Sequence, residues 1–365
     1  MMKEESISYR QLLFLVLFMQ VGTRVLSLPY AEAKSAGTLG WAAVLLGGLA
    51  AQMGIVLIWL LGKKHSTQNL FQYCHSLAGK LTGGVLTLLF AMYYVYSALI
   101  VTIIYMEIVN RWVLPQTPWW MLLLLFFLLC GYAATSSLRV LSFISYTLIY
   151  ILCAGYVLII YSGIKDMDFR NMLPLFHGAG SSFAYGVFQG FSACLGYDVL
   201  LYAFPFVKSS SPNKLLGTMT LANGLTTLIY VTVVIICTLN FTSEQMSLIP
   251  EPIVFIIKQI EWDVVQSLDI IFITLWWMII SATVYVYLYL AAKGISYIGR
   301  PAGGSHVRWV WICTGFCFVM GCWMSKQSVI SSLAGAPYNI YSIVCVAGIP
   351  LLLLMIPKKN NVRTG

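Results

Sequence analysis

The sequence predicts an all-helical integral membrane protein with about ten transmembrane helices, and three observations support this. Apolar residues make up 60% of the 365 residues and charged residues only 9%, whereas a soluble domain carries about 25% charged residues. The apolar runs are continuous and about twenty residues long, which is the length of a membrane-spanning helix. They do not alternate apolar with polar residues as barrel strands do. Since lipid offers the backbone no hydrogen-bond partners, the spanning elements are helices.

Ten apolar runs have spanning length, and short connections between them hold most of the charge. The runs cover residues 9–35, 38–62, 83–107, 118–137, 140–163, 183–207, 214–239, 266–292, 307–323 and 338–357. We interpret the first as a retained span because no small-residue cleavage site accompanies it and nine further runs follow. A single membrane domain over 1–365, built from repeats at about 9–163 and 183–357, places runs one and six at equivalent positions.

The basic residues predict the orientation of these spans. With the N-terminus in the cytoplasm, cytoplasmic segments hold fourteen Lys and Arg residues and the opposite side holds six. Basic residues concentrate on the cytoplasmic side of membrane proteins, so both termini are predicted to be cytoplasmic. The net charge of +9 therefore indicates topology and contact with anionic lipid of the bilayer, and no nucleic-acid partner is predicted.

Several chemistries lack their sequence patterns. The chain has no G-x-x-x-x-G-K-[ST] loop, no H-E-x-x-H motif and no C-x-x-C pair, so nucleotide and zinc sites are not indicated. Eight of the nine cysteines lie in apolar runs, where they are interpreted as small packing residues. The four histidines all lie in connections. The sequence predicts no enzyme, no metal and no cofactor.

Two connections carry apolar residues at helical spacing. Segment 69–81 alternates such residues with polar ones, and segment 252–262 begins with Pro252, which suits a first helical turn. Both are predicted to be helices that lie at the membrane interface.

The first and sixth runs contain signals that interrupt a helix. Gly22 precedes Pro29 in run one, and Gly196 precedes Pro205 in run six. Glycine permits backbone conformations that a break needs, and proline at 29 removes a donor and clashes with the carbonyl of Val25. Interrupted spans at matching positions of two halves indicate the binding site of an inverted-repeat transporter fold.

A charged residue lies beside each glycine. Arg24 and Asp198 are costly inside a membrane, so they are candidate site residues. They could form a structural ion pair, or Arg24 could bind a ligand carboxylate while Asp198 binds its amino group. A mixture, in which ligand opens or shares an existing pair, is favoured slightly. The neighbours that complete this part of the candidate site are Thr23, Val25, Leu195 and Tyr197.

Further polar side chains in other runs are candidates for the same pocket. Tyr93 and Ser97 belong to a polar and aromatic stretch of run three, and Thr283 and Tyr287 lie one turn apart in run eight. By contrast, Glu32, near the outer end of run one, is expected to face lipid headgroups.

A set of short motifs, in order along the chain, resembles the B subunits of nutrient germinant receptors of spore-forming bacteria. These proteins belong to the amino acid–polyamine–organocation transporter superfamily. The motifs are G-x-x-x-L-x-L-P from Gly22 to Pro29, Lys63-Lys64-His65 followed by Asn69-Leu70-Phe71-Gln72-Tyr73, Glu107 ahead of Thr117-Pro118, Leu195-Gly196-x-Asp198, and Tyr289-x-Ala291-Ala292-x-Gly294. The resemblance covers essentially the whole chain.

The resemblance implies two inverted five-helix repeats, residence in the spore inner membrane, a complex with A and C subunits, and recognition of a small germinant, commonly an amino acid. By position it implies that Gly22, Gly196, Asp198, Thr283 and Tyr287 line or border the pocket. Position 24 is often small in relatives, so Arg24 is a departure that suggests a different ligand. An autonomous proton-coupled amino-acid transporter, and passage of ions or water, remain alternative functions.

Overall fold

The secondary structure of the described residues consists of helices, joined by turns and short connections, and one isolated bridge. A computed structural model describes residues 5–173, 181–208, 211–260, 267–299, 306–324 and 334–356. In them, Ile7 forms a parallel bridge with Val207. The helices are α1 (Tyr9–Gln20), α2 (Arg24–Ser35), α3 (Gly40–Lys64), α4 (Leu70–Ala78), α5 (Lys80–Trp112), α6 (Trp119–Ala134), α7 (Leu138–Thr147), α8 (Ile149–Ile164), α9 (Ser181–Ala193), α10 (Val199–Ala203), α11 (Pro212–Asn240), α12 (Ser243–Met246), α13 (Pro252–Lys258), α14 (Leu268–Gly299), α15 (His306–Trp323), α16 (Ala336–Ile343) and α17 (Ile349–Met355).

The prediction of an all-helical membrane protein is confirmed. Among the described residues, six helical segments are long and apolar enough to cross a membrane, or seven when the bent pair α1 and α2 is one span. Large apolar side chains project outward from them; Met53 of α3, for example, is 75% exposed. Such a surface requires lipid. The helices in runs 118–137, 183–207 and 307–323 are not among these six or seven membrane-spanning segments. The total of ten transmembrane helices therefore stays a prediction.

The first span is broken, but two details differ from the prediction. Helices α1 and α2 meet at 49° across residues 21–23. Pro29 lies inside α2 and not at the break. Gly22 is not among the described residues with positive φ, which are Gly37, Gly79 and Gly196. The break therefore does not need a positive φ at Gly22. It turns tightly at Val21 (φ −78°, ψ 85°), where the Gly22 amide donates to the Gln20 carbonyl at 3.0 Å.

The sixth run is broken as well. Helix α9 ends at Ala193 and α10 begins at Val199, so five residues between them are not helical. Gly196 has φ +123°, a region that essentially only glycine occupies without strain. Pro205 lies further along, in a 3₁₀ turn at Phe204–Phe206. The break thus depends on the glycine.

Helices from both halves of the chain pack against the half-helices that flank the two breaks. Helix α14 packs along α5, while α3 packs against α9 and α11, and α1 packs against α11 and α7. The two predicted interfacial segments are helices, at α4 and α13, with shorter bounds than predicted. Their apolar faces are buried in the protein: Phe71 of α4 and Ile257 of α13 are 1% and 0% exposed. Protein contacts therefore satisfy the apolar faces that we assigned to the membrane interface.

Candidate functional site

The two helix breaks contact each other through Gly196. A Cβ atom at position 196 would lie 2.9 Å from the Gln20 amide nitrogen and would overlap the Met19 carbonyl group. The end of α1 therefore packs directly on the backbone of the second break. This confirms that the two breaks adjoin, which is the geometry on which the predicted site depends.

The Gln20 side chain links this junction to its neighbours. Its Nε2 donates to the Cys194 carbonyl at 2.6 Å and to Asn223 Oδ1 at 3.0 Å, and its Oε1 accepts from Thr226 at 3.1 Å. Tyr230 donates to the Gln20 backbone carbonyl at 2.8 Å. Every polar atom of this amide therefore has a partner, and the partners lie on the second break and on α11.

Thr283 of α14 supports the end of α1. Its hydroxyl donates to the Phe18 carbonyl at 2.8 Å. The last carbonyls of a helix have no partner within the helix, so this bond satisfies one of them inside the membrane. It also fixes α14 against the first break.

A small cavity of about 50 Å³ lies at the junction. A water molecule needs roughly 10–15 Å³ of such space, so the cavity has room for a few waters or one small polar molecule. Its lining comes from both breaks, from α5, from α14 and from the segment that begins α16. The lining residues are Met19, Gln20, Gly22, Thr23, Arg24, Ile100, Val101, Ile104, Ser192, Ala193, Leu195, Thr283, Tyr287, Ala334 and Tyr338.

Arg24 begins α2 and lines the cavity. Its Nη1 donates to Gln189 Oε1 of α9 at 3.3 Å. Helix α2 has no side-chain cap at Thr23, so its first amide groups remain available beside the guanidinium. Both attract negative charge. This end of the cavity is thus suited to an anionic group.

Asp198 lies behind the cavity. It is fully buried, and neither carboxyl oxygen has a hydrogen-bond partner among the described residues. The hydroxyls of Tyr93, Tyr94 and Tyr287 lie within electrostatic range of it. Tyr287 also lines the cavity and stacks on Tyr94 with ring centroids 6.0 Å apart. The Tyr287 hydroxyl, in the wall of the cavity, is thus a potential donor to Asp198, but no bond of normal geometry forms between them.

Arg24 and Asp198 do not form an ion pair. Ion pairs in the described part of the chain join Arg111 to Glu107 and to Glu251, and Lys293 to Glu5, and neither Arg24 nor Asp198 takes part in them. Arg24 bonds to an uncharged amide instead. The structural ion pair that we considered as one alternative is thus not formed in this conformation.

Half of the predicted site residues line the cavity and half lie around it. Those in the lining are Gly22, Thr23, Arg24, Leu195, Thr283 and Tyr287. The others are Val25, Tyr93, Ser97, Gly196, Tyr197 and Asp198. Among these, Ser97 accepts from the Tyr338 hydroxyl at 3.4 Å, and the Tyr197 ring lies against Gly54 of α3.

Sequence reasoning missed three polar residues of the lining, Gln20, Ser192 and Tyr338, besides its apolar members. Gln20 carried a usable signal, because an amide in an apolar run needs partners from other helices. Asn223 in run seven carried the same signal, and the two bond to each other. Tyr338 lies near the end of the chain and had no local signal that set it apart from an interfacial aromatic residue.

Residues 6–330 match the family described as spore germination protein, Spore_permease. The chain belongs to this family. Spore germination protein GerQB of Bacillus cereus is 23% identical over 99% of this chain and 98% of its own length. Spore germination protein A2 of Bacillus subtilis (strain 168) is 25% identical over 75% of this chain and 76% of its own length. The resemblance to germinant-receptor B subunits is confirmed, and the family of receptors and permeases is not enzymatic, as predicted.

Solved transporter structures share the fold of this family member. A Na⁺-coupled sialic acid symporter in a substrate-bound outward-open state gives a TM-score of 0.70 at 12% identity, over 94% of this chain and 80% of the symporter chain. MhsT in complex with L-phenylalanine gives 0.64 at 14% identity, over 97% and 88%. At these identities the likeness shows a transporter-like fold.

Proposed function

We propose that this spore germination protein is the membrane subunit of a nutrient-germinant receptor and binds a small germinant, an amino acid, where the two broken helices meet. The cavity between the breaks carries the proposal. Ligand binding there would shift the protein between conformations, because a ligand that binds one conformation better increases its population.

The charges around the cavity favour a zwitterion. The amide groups that begin α2 and the Arg24 guanidinium suit a carboxylate. Asp198 lacks a donor, and an ammonium group would supply one once Tyr287 moves aside. The proposed contact residues are those predicted from the sequence, from Gly22 to Val25, from Leu195 to Asp198, and Tyr93, Ser97, Thr283 and Tyr287.

The size of the cavity limits the ligand. A volume of about 50 Å³ is small, and the Arg24 side chain occupies space that a smaller residue would leave open. We therefore propose a short amino acid, or a ligand whose binding displaces Arg24 from Gln189.

The arrangement in the membrane follows the family. We propose ten spans in two inverted repeats, at about 9–163 and 183–357, with both termini in the cytoplasm. The membrane is the spore inner membrane, and the partners are the A and C subunits of the receptor. The relatives named spore germination protein GerQB and spore germination protein A2 support a role in the germination machinery, and the A and C partners are part of the proposal.

Germination assays test the proposal. Spores that lack the gene are compared with wild type on a panel of amino acids, sugars and nucleosides, and we expect loss of the response to at least one amino acid. Spores with Arg24→Ala should need at least about tenfold more of that amino acid, since losing a charged hydrogen bond costs about 1.5–3 kcal/mol. Lys34→Ala, on the exposed outer end of α2, is the control and should respond as wild type. Unchanged germination of the deletion strain on every nutrient would contradict the proposal.

A second function, proton-coupled amino-acid transport, is favoured by one observation. Asp198 is a buried carboxyl beside the cavity, and such groups carry protons in transporters. The purified chain in lipid vesicles is tested for uptake of the same amino acid driven by a pH gradient. Uptake that Asp198→Asn abolishes would establish transport without partners, whereas binding without uptake would favour the receptor.

A further inference from the structure

Glu32, like Asp198, is a carboxyl group buried within a predicted membrane span, where an ionised carboxylate is costly. It lies in α2, eight residues and thus about 12 Å beyond Arg24 towards the outer end. The side chain is 0% exposed, and neither oxygen has a hydrogen-bond partner among the described residues. The expectation that Glu32 faces lipid headgroups is therefore wrong.

Two glycines on other helices make room for this carboxyl. A Cβ at Gly40, where α3 begins, would lie 2.8 Å from Glu32 Cβ, and a Cβ at Gly186 of α9 would lie 2.8 Å from Glu32 Oε2. Ser35 Oγ is near enough to the same point to act on the carboxyl, but its single hydroxyl proton is donated to the Ala31 carbonyl at 3.0 Å, and it makes no bond of normal geometry to Glu32. The carboxyl is thus enclosed between α2 and α9 with no donor of its own.

No positively charged side chain forms an ion pair with the Glu32 carboxyl among the described residues. Helix α2 packs against α3, α9, α11, α12 and α13. Among the charged groups of these six helices, only Arg24 acts on Glu32. The Arg24 guanidinium itself donates to Gln189. The remaining titratable groups on these elements are bonded elsewhere or exposed. Lys34 contacts Tyr30, Glu251 contacts Arg111, Lys258 lies over the Trp112 ring, Tyr230 bonds to the Gln20 carbonyl and Lys64 bonds to the Leu354 and Ile356 carbonyls. The side chains of Glu244, Tyr185, Lys63 and Lys214 are exposed, and the Cys237 thiol of α11 is not among the groups that act on Glu32.

We propose that Glu32 is a proton-binding site that couples the outer half of the first span to external pH. A carboxylate enclosed without donors is unfavourable, so the carboxyl holds a proton while α2 and α9 are together. When α2 moves away from α9, water enters, the O–H bond breaks and the proton passes to that water, leaving a hydrated carboxylate. Each opening of this interface then releases one proton, independently of which ligand occupies the cavity.

Infrared spectroscopy tests the protonation state without any ligand. The spectrum of purified Glu32→Gln protein is subtracted from that of wild type near neutral pH. We expect the difference to contain the C=O stretch of a carboxylic acid. Glu244→Gln, at an exposed acid of α12, is the matched control and should remove carboxylate bands. Carboxylate bands in the Glu32→Gln difference would overturn the proposal.

Labelling tests the coupling to opening. Ser35→Cys places a thiol beside Glu32, and its reaction with a membrane-impermeant maleimide is followed by peptide mass spectrometry, which separates it from the nine native cysteines. The rate ratio between the Glu32 and Glu32→Gln backgrounds cancels the intrinsic pH dependence of the thiol. We expect this ratio to rise with pH by up to about tenfold per unit, because one proton is released. A ratio that does not change with pH would overturn the coupling. Neither experiment depends on the proposed germinant, so this inference can fail while the proposed function stands.

Discussion

Gly196 lies against the backbone of Met19, so that the end of one half-helix rests on the non-helical stretch of the other. With φ +123°, Gly196 also has a backbone conformation that other residues adopt only with strain. Position 196 therefore requires glycine for two independent reasons, the lack of space for a Cβ atom and the positive φ. Because the two breaks contact each other there, this glycine determines the geometry of the candidate site.

Replacing this glycine should destabilise the protein. Gly196→Ala adds a methyl group that overlaps the Met19 carbonyl, and the strained backbone alone costs about 1–3 kcal/mol. We expect a clearly lower thermal unfolding midpoint of the purified protein in detergent. Gly22→Ala is the matched control, because a Cβ there meets nothing within 4 Å and φ is not positive. Equal midpoints for the two variants would contradict this account of the breaks.

The Gln20 amide should be important for stability as well as for the cavity. Gln20→Met keeps the length of the side chain but leaves the Cys194 carbonyl, Asn223 and Thr226 without this partner. Each unsatisfied buried group costs about 1–3 kcal/mol, so we expect a loss of at least about 2 kcal/mol in stability. The measurement is denaturant-induced unfolding in detergent.

The control for this amide is Gln52→Met. Gln52 bonds to Thr220 and Asn223 on the half-buried side of α3, where loss of a hydrogen bond should cost under about 1 kcal/mol. A Gln20→Met protein as stable as Gln52→Met would show that the junction tolerates unsatisfied groups, and would remove the structural role given to Gln20.

The helical architecture and the position of the breaks could be predicted from the sequence because both depend on local signals. Composition and run length determine the spans, and a charge beside a glycine in an apolar run marks an interruption. Local signals do not distinguish which glycine matters. Gly22 and Gly196 look equivalent in sequence, but only Gly196 has positive φ and a close backbone neighbour.

Contacts between distant residues explain what the sequence could not predict. Glu32 was expected to face headgroups because it lies near the end of a run, yet Gly40 and Gly186 provide a buried space for it. Arg24 was considered as a partner for Asp198, but Gln189, in a helix 165 residues away, accepts its hydrogen bond. No periodicity within one helix reveals such partners.

The two ion pairs of Arg111 should differ in strength. Arg111 Nη1 contacts both oxygens of Glu251, at 2.6 and 2.8 Å, and Glu251 also accepts from Trp112. Glu107, one turn earlier in α5, contacts Arg111 at 2.9 Å, and its side chain is 27% exposed, against 6% for Glu251. We expect Glu251→Gln to cost about 1–2 kcal/mol and Glu107→Gln under about 0.5 kcal/mol.

A double-mutant cycle with Arg111→Met measures both couplings by thermal unfolding. Because α13 follows Glu251 and packs against α2, α8 and α14, the stronger coupling should also slow proteolysis of segment 241–260. A coupling to Glu107 as large as that to Glu251 would contradict the ranking by burial.

The thiol of Cys74 should be unreactive in the folded protein and should make stability depend on alkaline pH. Burial in α4, outside the spans, raises the pKa of Cys74 to about 12. At pH 8 the thiolate fraction is then about one in ten thousand, so alkylation of the Cys74 peptide should be at least about a hundredfold slower than in the unfolded chain.

The folded state holds the thiol proton of Cys74 more tightly than the unfolded state, whose thiol titrates near pH 9. The contribution of Cys74 to stability is therefore complete below pH 9 and is lost as pH rises towards 12. Unfolding of wild type and Cys74→Ala is compared at several pH values, and the difference between them should shrink above pH 9; a constant difference, or rapid labelling at pH 8, would show that water reaches this thiol.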